Sequence, residues 1–147
     1  MRKLTLILFL GFCSPALPAT EHAYEGIASV HDLMDYVVKP SMDKLVALNK
    51  AGGPQSERDW KHAKAHASIL AEASQLLLMA GRIKDSVWDK GAKQVVSGAK
   101  ASLVAAAALD VNAWRTASAG IGKGCRNCHK AHKPKEENSK GPNLPAR

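Results

Sequence analysis

Cysteine is scarce in this chain, with three residues in 147: Cys13, Cys125 and Cys128. So few, two of them three positions apart, exclude a disulfide framework, because a bridge restrains the unfolded chain chiefly when it closes a long loop. Long apolar runs are missing too. Residues 4–12 form one that is too short to cross a bilayer, and no later stretch is long enough for a transmembrane helix. Alternation of apolar and polar residues does not occur at any length, which sets sheet-based folds aside. No serine–histidine–acid arrangement, phosphate-binding glycine loop or pair of catalytic carboxylates stands out, so no enzymatic activity is expected. Acidic residues are outnumbered, 13 Asp and Glu against 21 Lys and Arg. The lysines are interspersed with acids, which reads as an ordinary solvated surface rather than a binding patch.

What is present begins with an export signal. Arg2 and Lys3 precede the apolar run, and residues 14–19 are rich in small residues and proline, the pattern of a secretory signal peptide cleaved after Ala19 or after Ala16. Cys13 follows Phe12, a poor fit to the small residue that a lipidation signal requires there. Cleavage after Ala19 leaves 128 residues, enough for one domain with a core. The formal net charge falls from +8 to +6 with the loss of Arg2 and Lys3, and only Cys125 and Cys128 remain. The mature chain is expected in the periplasm, without a transmembrane segment and without a nucleic-acid partner.

Four helical segments are predicted within residues 20–133, followed by a disordered tail over residues 134–147, which has three prolines and no apolar stripe. The first runs from Glu21 to about Leu48, with Ile27, Val30, Met34 and Val37 or Val38 facing inward and Pro40 kinking or restarting it. The second is capped by Ser56, carries Trp60, Ala63, Ala67, Leu70, Ser74 and Leu77 on one stripe, and ends at Gly81. The third begins near Asp85 and buries Trp88, Ala92, Val95, Ala99, Leu103 and Ala106. Asp110 caps the fourth, whose stripe is Val111, Trp114, Ser118, Ile121, Cys125 and Cys128. Short connections between helices of this length favour antiparallel neighbours, hence an all-α, up-down four-helix bundle.

The fourth helix carries the chemistry. Cys125, Cys128 and His129 form a C-x-x-C-H run, the attachment signal for c-type haem, and all three are expected to face the bundle interior. A thioredoxin-like pair would need a strand and a βαβ setting that are absent. A zinc site of Cys125, Cys128 and His132 lacks a fourth ligand. His62 and His66 lie one turn apart but away from the Trp60 stripe, with no acidic partner, and read as a solvated face. Met79 and the three tryptophans read as packing residues, with one or more of the tryptophans available to contact a porphyrin.

On these residues, the chain resembles the class II c-type cytochromes, cytochrome c′ and its low-spin relatives, over about residues 27–133. The resemblance implies haem c held by Cys125 and Cys128, with His129 on the iron. It also implies a basic residue near a haem propionate, matched by Lys133, and a sixth ligand on the first helix in low-spin members, matched by Met34. His31 is a rival for that position, and Met42 lies beyond Pro40. The function implied is electron transfer with a periplasmic redox partner; the alternative is a five-coordinate haem protein that binds or senses nitric oxide or carbon monoxide. A homodimer through outer helix faces is also implied as possible. Two departures stand out. His132 occupies a position usually held by an aromatic or similar bulky residue. Gly120, Gly122 and Gly124 precede the motif, where they either admit a close neighbour or mark a break.

Overall fold

A computed structural model describes residues 25–133; the expected signal peptide and the tail lie outside them. The described residues form four helices and no strand. Residues 30–50 make the first, α1, built of an α-helical turn Val30–Leu33, a π-helical turn Met34–Val38 and an α-helix Lys39–Lys50. Then come α2 (Glu57–Leu76), α3 (Ser86–Ala107) and α4 (Val111–His132). None is long and apolar enough to cross a membrane.

Each start has a local chemical cause. Ser29 Oγ accepts from the Asp32 N–H at 3.0 Å and opens α1. Residues 25–28 are not helical, so Ile27, expected on the buried stripe, precedes the helix and is 87% exposed. Ser56 and Asp59 exchange hydrogen bonds of 3.1 Å in a capping box that starts α2. Asp85 accepts from the N–H groups of Val87 and Trp88, and Asp110 from those of Asn112 and Ala113.

The π-helical turn is the fold's answer to Pro40. Proline has no N–H to aim at the Tyr36 carbonyl. Just upstream the ladder has already shifted, with the Lys39 N–H bonded to Met34 O, five residues back. The extra residue resets the inward face. Leu33, Val38, Ser41 and Leu45 are buried, a five-residue step followed by ordinary ones, and Val38 rather than Val37 faces the core.

Helix α2 buries Ala63, Ala67, Leu70 and Ser74, with Leu77 just past its end, at alternating spacings of four and three. Trp60 is only half-buried, and the helix stops before Gly81, which takes φ +82° in the connection. Trp88, Ala92, Val95, Ala99 and Ala106 of α3 are buried as expected, while Leu103 is half-buried. Trp114, Ser118, Ile121 and Cys128 of α4 are buried, with Val111 and Cys125 half-buried.

Small residues set the closest contact, between α3 and α4. A Cβ on Gly124 would stand 2.9 Å from the Val95 nitrogen, and one on Gly91 would stand 2.9 Å from Cys128 Cβ. The glycines before the cysteine motif therefore do not break α4, which continues to His132. Gly124 admits the neighbouring helix, whereas a Cβ on Gly120 would meet nothing. Helix α3 also packs on α2, and α2 on α1; α4 touches α1 only lightly.

Candidate functional site

The lightly packed seam between α4 and α1 is closed by a small cavity, about 40 Å³, to which all four helices contribute. Cys125, Cys128 and His129 reach it from α4, Met34 from the first residue of the π-helical turn, Ser74 from α2 and Gly91 from α3. The rest of its wall is apolar, including Val38, Leu77, Ala92 and Val95. The cysteine motif and Met34 are thus brought together from opposite ends of the sequence.

The three motif residues are not equally enclosed. Consecutive helical residues point 100° apart, so Cys128 and His129 do not both aim at the bundle axis. Cys128 is buried and Cys125 half-buried, while His129 is exposed and lines the cavity from its edge. The expectation that all three face the interior is corrected for the imidazole.

Both cysteines are free. Burial raises the thiol pKa of each, and for Cys128 the negative charge of Asp85 adds to the effect. A disulfide oxidoreductase needs the opposite, an attacking cysteine whose pKa is lowered. His132, the third member of a zinc site, instead turns to Asp85, with Nε2 at 3.1 Å from Oδ1. Among the described residues, no group of three or more His, Cys, Asp or Glu side chains is arranged to hold a metal ion.

The rivals of Met34 lie elsewhere. His31 is exposed, with Nε2 3.6 Å from an Asp35 carboxylate oxygen. Met42 is half-buried; its Cε lies 4.0 Å from where a Cβ on Gly122 would stand. Neither lines the cavity. Lys133 is the exposed C-cap of α4, its N–H bonded to His129 O, and it does not reach the cavity wall. The tryptophans also stand back from the cavity: Trp114 is fully buried, and the buried Trp88 donates its indole N–H to Leu77 O at 2.8 Å. The Met79 sulfur lies 3.9 Å from Arg82 Nη1. His62 and His66 stack at 6.2 Å, and His66 Nδ1 approaches Ser41 Oγ at 3.5 Å; burial lowers the His66 pKa.

The donor set fits haem: two thiols, an imidazole and a thioether around one apolar space. The volume is about the share of one or two water molecules. A porphyrin is far larger than this space, so holding one there would require the helices around the cavity to stand further apart. Two features were missed at the level of sequence. Ser74 reads there as one more position on a buried stripe, yet its hydroxyl has no hydrogen-bond partner among the described residues. Gly91 carries no periodic signal, since its role is set by a cysteine 37 positions away.

Comparison with known protein families, curated proteins and solved structures found no match.

Proposed function

We propose that this chain is a periplasmic c-type cytochrome, an electron carrier exported through residues 1–19, with the antiparallel up-down four-helix bundle of the class II cytochromes it resembles. One observation carries the reading: Cys125, Cys128, His129 and Met34 share a single cavity. Cys125 and Cys128 would hold haem c, each thiol adding its sulfur and its hydrogen across a vinyl double bond. His129 and Met34 would hold the iron through an imidazole nitrogen and a thioether sulfur. Haem so held supplies exchange of one electron between ferric and ferrous iron. The apolar walls from α2 and α3 would exclude water, and a thioether at the sixth position favours a raised potential and electron transfer.

The contact pairs Gly91 with Cys128 and Gly98 with Ile121 support an antiparallel run of α3 and α4, because one number rises as the other falls. The partner is a periplasmic redox protein. A homodimer through outer helix faces also belongs to the reading. Val37, Ile69 and Leu76, exposed along a groove between α1 and α2, would belong to such a face.

The test is spectroscopic. Wild-type protein matured with haem should be low-spin and inert to carbon monoxide, and Met34→Ala should turn it high-spin and reactive. Wild-type iron that is high-spin and binds carbon monoxide at once would remove Met34 from the iron and leave gas binding as the better reading.

A further inference from the structure

Four hydroxyl side chains within the helices illuminate one another. Ser102 Oγ donates to Gly98 O at 2.9 Å, Ser118 Oγ to Trp114 O at 2.6 Å, and Thr116 Oγ1 to Asn112 O at 3.0 Å. Each returns its proton to the carbonyl four residues back, the usual retreat of a hydroxyl in a helix. Ser74 is 1% exposed and makes no such bond; its Oγ has no partner among the described residues. An unpaired buried hydroxyl forfeits its hydration without return. Elsewhere on its inward face α2 uses Leu70 and four alanines, Ala63, Ala67, Ala71 and Ala73, all better helix formers than serine. The other unpartnered atom, Trp114 Nε1, does not line the cavity, whereas Ser74 does, together with Met34 and His129.

We infer that Ser74 is a hydrogen-bond donor to the axial ligand that the iron takes on the Met34 side. This rests on the haem reading above. The acceptor is either the Met34 sulfur or, where that thioether is absent, a small polar molecule on the iron; the chemistry asked of Ser74 is the same. A bond donated to an axial ligand draws electron density away from the metal and favours the ferrous state, a recognised lever on haem potential. Ser74 is thus a tuning residue, acting through the ligand.

The experiment uses the full chain matured with haem in wild-type, Ser74→Ala and Ser74→Thr forms, each titrated potentiometrically after covalent haem is shown by staining on a denaturing gel. Ser74→Ala should shift the ferric–ferrous equilibrium about tenfold toward ferric, a fall of about 59 mV for one electron. Ser74→Thr, which keeps the hydroxyl, should stay near wild type. Repeating the alanine change in Met34→Ala protein identifies the acceptor: an effect that disappears assigns the bond to the Met34 sulfur, and one that persists assigns it to an exogenous ligand. Covalent haem with equal potentials in wild type and Ser74→Ala would overturn the role of Ser74 and leave the haem reading intact. A wild-type chain without covalent haem would overturn both.

Discussion

His132 Nε2 lies 3.1 Å from Asp85 Oδ1, so the last turn of α4 is tied to the residue that caps α3. The same imidazole meets Trp88 edge-on, ring centroids 5.5 Å apart. The tie closes the end of the bundle that holds the cysteine motif. Asp85→Ala removes both this contact and the bonds to Val87 and Trp88, whereas His132→Ala removes only the contact and the ring edge. The urea midpoint should fall in both variants, with unchanged slope, and further for Asp85→Ala. An equal or larger loss for His132→Ala would show that the helix cap contributes no more than the ring contact with Trp88.

The glycines of α4 should answer oppositely to the same change. Gly120→Ala adds a methyl where nothing lies within 4 Å and should stabilise by about 0.5–1 kcal/mol through lower backbone entropy. Gly124→Ala pushes a methyl to 2.9 Å from the Val95 nitrogen and 3.0 Å from Gly91 O, both backbone atoms. It should destabilise by about 1–3 kcal/mol. Chemical denaturation of the two variants measures this. A stabilising Gly124→Ala would mean that α3 and α4 are not in close contact there.

Stability should decline in two steps as pH falls. Burial lowers the His66 pKa, aided by the charges of His62 and Lys44. The fold therefore disfavours its protonation, and its contribution is whole above the ordinary histidine value of about 6.5 and lost as pH falls through the lower folded value. Asp59 is held below the usual carboxylate range by the Gln55 N–H and then by Ser56; Asp85 is held there by the Trp88 N–H and then by His132. Their contributions are whole above about pH 4 and lost below it. Urea midpoints from pH 8 to 2 should show both steps. His66→Ala should flatten the upper step, and Asp59→Asn with Asp85→Asn the lower. A curve unchanged in these variants would reassign the titrating groups.

How far the sequence could be read depended on whether a feature was local. Ser56 and Asp110 act within one helical turn, and the Ala63–Ala67–Leu70–Ser74–Leu77 stripe is a count along one helix; all are legible without a partner. The C-x-x-C-H motif is equally local. The inward face of α1 was blurred because the count assumes a constant period, and the π-helical turn before Pro40 inserts one residue. The start at Ser29 was missed because Ile27 mimics the stripe without belonging to a helix. Gly91 against Cys128, His132 against Asp85 and the unpartnered hydroxyl of Ser74 are matters of tertiary contact, for which a single helix carries no period.

The proposed covalent bond between haem and both Cys125 and Cys128 would be read most directly by intact mass under denaturing conditions. The full-length chain is produced in cells that export proteins and mature c-type cytochromes, beside a variant with both cysteines changed to Ala. The wild-type mass should equal residues 20–147 plus one haem, and the variant should lack the haem increment. A wild-type mass equal to the polypeptide alone, with any colour lost on acid–organic extraction, would contradict covalent attachment.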